Sequence, residues 1–177
     1  MAFPVIKTKR LILRHLVPED QKTIFQLRTD KQVSMFIDRP GMSSETEAAA
    51  FIEKIQSNCE LNLSVYWAIS LDADPELIGT ICLWNFSEDR KLAELGYEMF
   101  PAFQGRGLMS EAINAVLDYG FQDCGLAAIE ANTHRDNIRS KKLLSKFRFQ
   151  YLPDKMDANN HNNEVYLLEH LKYRHAG

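Results

Sequence analysis

Residues 101–112 read PAFQGRGLMSEA, and the reading of this stretch decides the fold. A strand-like run at 92–100, LAELGYEMF, leads into it. A helix leaves it, over about 107–124, with Met109, Ile113, Val116 and Leu117 on one apolar stripe. At the junction, Gly105 and Gly107 stand where a backbone passes close to a ligand, because glycine has no Cβ to block the approach. The first turn of a helix leaves amide N–H groups without intrahelical partners at the positive end of its dipole. Such a junction suits an anionic group, a pyrophosphate among others. It is not a Walker loop, since no Gly-x-x-x-x-Gly-Lys string occurs. Nor is it a dinucleotide fingerprint, since Ser110 stands where the third glycine belongs.

The chain has 177 residues, a length that predicts one domain spanning residues 1–177. Its net charge of −3 argues against a nucleic-acid surface as the main function. Cys59, Cys82 and Cys124 are odd in number and share no metal-ligand spacing, which points to reduced residues in the cytoplasm. His15, His134, His161, His170 and His175 form no metal or triad pattern, so no metal is expected. No run approaches a membrane span, and the first ten residues lack a signal-peptide core.

From the N-terminus, residues 8–14 (TKRLILR) read as a first strand and 18–28 as a helix with Ile24, Phe25 and Leu27 inward. Ser44 and Glu47 make a capping-box pattern ahead of Ala48, Phe51, Ile52, Ile55 and Cys59 at helical spacing. Three strands follow at 65–71, 77–85 and 92–100, with turn residues at 72–75 and 87–90, as in an antiparallel meander. After the glycine junction and its helix, closed by Gly125, come a strand at 127–132 and a helix at 137–146. Strands at 149–153 and 165–169 close the chain around the polar loop 157–163. A mixed α/β fold, a mostly antiparallel sheet with helices on both faces, is the economical packing.

In that context the chain resembles the GNAT superfamily of acetyl-CoA-dependent N-acetyltransferases, and within it the Rim-type branch of ribosomal-protein N-terminal acetyltransferases. The resemblance runs from about residue 7 to 169 and is carried by TKRLILR, ELGYEMFPAFQGRGLMSEA and NIRSKKLLSKFRF. Gln104, Gly107 and their neighbours match the superfamily's Gln/Arg-x-x-Gly-x-Gly/Ala at its first two defined positions, with Met109 at the third. Asn137 and Ser140 match the branch's Asn-x-x-Ser helix pattern. Leu144 stands where many members carry a tyrosine that protonates the leaving thiolate, and Arg148 where glycine is usual.

The resemblance implies acetyl transfer from acetyl-CoA to a primary amine by direct attack in a ternary complex. The Rim-type likeness implies a protein N-terminal amine as acceptor. A small amine is the alternative, and a non-catalytic coenzyme A-binding module is the alternative outside enzymology. Monomer and homodimer both remain open. Such chemistry needs a base to deprotonate an amine that is ammonium at neutral pH. Glu94 and Glu98, four apart, share one face of a regular strand while Ala93, Leu95, Tyr97 and Met99 occupy the core face. Glu94, before Leu95-Gly96-Tyr97, is the favoured base. The resemblance assigns the pantetheine arm to the main chain of Met99 and Phe100. The pyrophosphate is expected on backbone amides of Gln104, Gly105, Gly107, Leu108 and Met109, flanked by Arg106 and the Ser110 hydroxyl. Asn137 is a helix N-cap by type and a cofactor contact by resemblance. Ser140 is the expected proton donor to the thiolate, since Leu144 has none to give. Glu111 reads as structural.

Overall fold

The computed structural model describes residues 3–174; residues 1, 2 and 175–177, His175 among them, lie outside this description. Strands β1 (Ile6–Lys7), β2 (Leu11–His15), β3 (Val65–Leu71), β4 (Asp74–Trp84) and β5 (Leu92–Met99) lie side by side, each antiparallel to the next, with the helices between His15 and Val65 joining β2 to β3. β6 (Ala128–His134), β7 (Gln150–Met156) and β8 (Asn163–Glu169) complete one sheet in the order β1-β2-β3-β4-β5-β6-β8-β7. The expected strand at 8–14 is interrupted. Thr8 Oγ1 accepts from the Leu11 amide at 3.0 Å, so Thr8 begins a turn that separates β1 from β2. The expected turn at 72–75 is also shorter than its composition suggests, because β4 resumes at Asp74. Register shifts at Ile69, Ser70 and Leu71 absorb the difference.

Alternation along the strands sorts the core into two layers. On one face Trp67, Ile69, Ile81, Leu83, Leu95 and Ile129 pack beneath α4 (Leu108–Asp118), whose Ala112, Ile113, Val116 and Leu117 are fully buried. On the other face Tyr66, Ala68 and Leu77 meet α1 (Gln21–Thr29) and α3 (Glu45–Glu60) through Ile24, Leu27, Ala48 and Ile52. Ser44 caps α3 by accepting from the Glu47 amide at 3.3 Å. The Glu47 carboxylate reaches the Ser43 amide instead of closing the box on Ser44. A four-residue helix that composition alone does not signal, α2 (Lys31–Ser34), begins where Asp30 Oδ1 accepts from Gln32 and Val33 at 2.8 and 3.0 Å.

The helix expected over 107–124 is α-helical only to Asp118 and continues as a π-turn, Tyr119–Asp123. Gly120 permits that turn to lie on the sheet, since a Cβ there would sit 2.9 Å from Ile129 Cδ1. Gly125, at φ +66°, ends it as expected. The last helix before the closing strands, α5 (Ile138–Lys146), is followed by Arg148 at φ +64°, the left-handed turn for which glycine is the usual residue.

One feature of the sheet positions everything that follows. β5 and β6 run parallel but pair only through Leu92–Ala128, Ala93–Ile129 and Glu94–Glu130. Beyond Glu94, β5 stays with β4 while β6 stays with β8, and the two strands separate.

Candidate functional site

A cleft of about 1320 Å³ opens where β5 and β6 part. It runs from Gly105, Gly107 and Ser110 past Tyr97 and Ser140 to Glu94, Asn132 and Trp84. Pockets for small ligands commonly enclose about 300–1,000 Å³, so this one has room for two reactants. A second, smaller groove of about 590 Å³ lies against α4 beside Ile6, Lys7 and Thr8, away from these residues.

The glycine junction forms as its sequence predicts. Gly105 and Gly107 have φ values of +72° and +74°, and Gly107 is the N-cap of α4. Among the described residues, none of the backbone amides from Gly105 to Ser110 donates to a protein acceptor. Buried Leu108 and half-buried Met109 anchor the run in the core, while Arg106 and both glycines are exposed. Leu108 therefore offers a main-chain group and no side chain to a ligand. Gln104 departs from expectation, because its amide donates to Pro101 O at 3.1 Å. Its side chain instead links Met99 O (2.8 Å) to Arg139 Nη1 (3.0 Å). Glu111 is structural, as read. Burial works against its charge, but hydrogen bonds from Thr8 Oγ1 (2.6 Å) and from Arg10 Nε (2.6 Å) and N (2.8 Å) hold its carboxyl below the usual range.

On β5 the N–H groups divide by strand alternation. Phe100 donates to Ile78 O at 3.1 Å, and its carbonyl accepts from Phe103 at 3.0 Å. The free main-chain group expected at Phe100 is thus already spent within the protein. Because antiparallel residues alternate between neighbours, Tyr97 and Met99 turn their N–H groups to the opposite edge, where β6 has departed. Met99 keeps its expected place at the gap, with its carbonyl held by Gln104.

The two glutamates, alike in sequence, have different surroundings. Glu98 is 9% exposed and pairs with Arg39 at 2.7 Å, with Arg28 at 4.0 Å. Neutralised by two guanidiniums, it is not available as the free base that its spacing suggested. Among the described residues Glu94 has no cation paired with it; its partners are Asn132 Nδ2 at 3.2 Å and Asn85 Nδ2 at 3.4 Å. Burial raises its pKa from 4.5 to about 7, the carboxylates of Asp157 and Glu130 add to the rise, and the two amides offset part of it.

Ser140 lies in the first turn of α5, which Asn137 caps by accepting from the Ser140 amide at 3.1 Å. Its hydroxyl is 2.8 Å from the hydroxyl of Tyr97. Sequence alternation put Tyr97 in the core, and most of the ring is there, but its hydroxyl reaches the cleft. Burial lifts the Tyr97 pKa to about 12, against the Ser140 hydrogen bond, so the phenol stays protonated. Leu144 is fully buried beneath α5. Tyr97, which alternation placed in the core, and Asn132, which no motif singled out, both line the cleft, as does Trp84, 41% exposed.

A model of the GNAT acetyltransferase domain matches residues 10–150. The chain is 34% identical to the uncharacterized N-acetyltransferase YoaA of Bacillus subtilis over 84% of both chains. It is 30% identical to the uncharacterized N-acetyltransferase p20 of Bacillus licheniformis, over 96% of this chain and 97% of that one. Among solved structures, RimL, a ribosomal L7/L12 alpha-N-protein acetyltransferase in complex with coenzyme A, superposes with a TM-score of 0.81. That match covers 94% of this chain and 98% of RimL at 16% identity, a likeness of fold.

Proposed function

The chain belongs to the GNAT family of N-acetyltransferases, and from that premise we propose that it moves acetyl from acetyl-CoA to a primary amine with Glu94 as the base. The observation that carries this reading is the environment of Glu94: an uncompensated carboxyl, pushed up to about 7, in the cleft where β5 and β6 separate. A base is most effective when its pKa lies near the working pH.

The chain's own groups fit the co-substrate. The unpaired amides from Gly105 to Ser110, with two positions lacking Cβ, suit a pyrophosphate, and Arg106 and Ser110 flank it. The gap-facing N–H groups of Tyr97 and Met99 suit an amide-bearing arm, and Asn137 borders the same cleft. When bound, acetyl-CoA supplies an acyl thioester. Glu94 takes one proton from the ammonium, and the freed lone pair forms the C–N bond in direct attack. A gap-facing N–H stabilises charge on the carbonyl oxygen. As the C–S bond breaks, the Ser140 hydroxyl, backed by Tyr97, donates a proton to the thiolate. The second proton lost by nitrogen restores that hydroxyl pair, and Glu94 returns its own to solvent. No covalent enzyme intermediate is needed.

The acceptor is read as a primary amine. The Rim-type likeness favours a protein N-terminus, and a small amine fits the same acid–base arrangement. Among the described residues no helix is long and apolar enough to cross a membrane, and we read the protein as a cytoplasmic one. Calorimetric titration with acetyl-CoA tests the foundation. The wild-type protein should bind saturably, and Gly107→Trp should weaken binding more than tenfold with its circular dichroism unchanged. A folded wild-type protein that gives no binding overturns the proposal, and a binder justifies a screen of peptides and small amines.

A further inference from the structure

Two side-chain amides in the cleft share an unusual state. Asn132 donates through Nδ2 to Glu94 Oε1 at 3.2 Å. Asn163 donates through Nδ2 to Asp157 Oδ2 at 2.8 Å. In its ionised form each carboxylate is an acceptor only, so it turns the Nδ2 end of its amide toward itself. The other ends, Asn132 Oδ1 and Asn163 Oδ1, are then buried acceptors with no donor among the described residues. Buried polar atoms are nearly always satisfied, so each orphan calls for a partner. Both residues border the same cleft as Glu94. Along β6, Asn132 belongs to the alternating set of Glu130 and His134, opposite the buried Ile129 and Ala131. That set shares the face of Glu94, since Glu94 and Glu130 are register partners on parallel strands. The wall beside the base therefore holds Glu94, Asp157 and two covered amide oxygens, with one N–H of each amide committed to a carboxylate. What satisfies such a wall is a group rich in N–H donors and carrying positive charge.

We propose that Asn132 is a specificity-determining residue: its orphan carbonyl oxygen accepts a hydrogen bond from the ammonium form of the acceptor and sets that ammonium against Glu94. This rests on the reading of Glu94 as base. The acceptor then binds as the cation and is deprotonated in place, and the site selects primary ammonium by its hydrogens as well as its charge. Asn132 keeps Glu94 oriented with one end of its amide and receives the substrate with the other. A quaternary ammonium, equal in charge but with no N–H, leaves the oxygen unsatisfied and is discriminated against.

The test compares n-butylammonium with n-butyltrimethylammonium, titrated by NMR into the protein saturated with coenzyme A so that no turnover occurs. Wild-type protein should prefer the primary cation by about tenfold, the loss expected for one charge-assisted hydrogen bond. Asn132→Leu should bring the two affinities within about twofold. Asn132→Asp, close in shape and still an acceptor, should retain the preference. Equal affinities in the wild type, or a preference that survives in Asn132→Leu, would overturn the proposal. Glu94→Gln, assayed for acetyl transfer and for the same preference, separates the two ideas. Undiminished turnover with the preference intact would remove the base and leave Asn132 standing. Lost turnover with no preference in the wild type would do the reverse.

Discussion

Replacing Glu94 by glutamine should make the protein more stable at alkaline pH while it destroys activity, and the size of both effects follows from the surroundings of one carboxyl. Burial, with Asp157 and Glu130 nearby, raises the Glu94 pKa from 4.5 to about 7 in the folded chain. A rise of that size corresponds to about 3 kcal/mol, at about 1.4 kcal/mol per pH unit. Because the cleft is open to water, solvent screening reduces this to about 1–2 kcal/mol. The sign follows from proton counting. Between pH 4.5 and about 7 the folded state holds more protons at Glu94 than the unfolded chain, so stability falls as pH rises through that window. Above it the full penalty persists; below it both states carry the neutral acid and the penalty vanishes. Glu94→Gln is free of this penalty. Its melting temperature should exceed the wild type's by about 3–6 °C at alkaline pH, with the gap closing toward pH 4.5. Scanning calorimetry across that range reads the difference directly. In parallel, kcat/KM of the wild type should climb through an apparent pKa near 7. The variant should lose about 10²–10³-fold in rate together with that limb. A variant less stable at every pH, or one that keeps the limb, would refute the reasoning.

Ser140→Ala and Tyr97→Phe should each lower kcat about tenfold, and the double variant little further, because hydroxyls 2.8 Å apart serve one proton transfer; additive losses would show separate roles. Arg39→Ala should cost about 2–4 kcal/mol in urea unfolding, since it leaves Glu98 buried with only Arg28, at 4.0 Å. A cost under about 0.5 kcal/mol would mean that the pair is dispensable. Glu111→Ala should cost about 1–2 kcal/mol by freeing the Thr8–Arg10 turn. The carboxylate's depressed pKa makes that difference shrink as pH falls through the acid range, which calorimetry at two pH values detects.

What the sequence disclosed, and what it hid, divides along the range of the interactions. Gly105, Gly107 and the Asn137 cap act within a few residues of themselves, and local backbone geometry leaves few other uses for them. The alternation of β5 likewise placed Leu95 and Met99 in the core, because one face of a strand repeats every second residue. Glu94 and Glu98 were indistinguishable by that same rule, since it assigns a face but no neighbours. Arg39, distant in sequence, neutralises one of them, and Asn132 orients the other. The contact between Tyr97 and Ser140 spans 43 residues and depends on how α5 leaves β6. Gln104 was placed by its motif, yet its amide closes a turn and only its side chain faces the site.

Only three residue pairs fasten β5 to β6, so the angle at that short seam, carried by β4 and β5 together, sets the width of the cleft. From Glu94 to Met99 is five residue steps, an arm of about 17 Å at 3.3 Å per residue. A pivot of about 5° at the seam swings the far end of such an arm by about 1.5 Å. Glu94 and Tyr97 ride on the same arm, so such a pivot leaves their spacing alone and changes instead the gap that Ser140 borders from the other side. The packing beneath α4, where Ala93 and Ile129 are buried, helps to set that angle. Substitutions in the buried layer at Ala93 or Ile129 would retune reactivity from a distance, without touching a reactant.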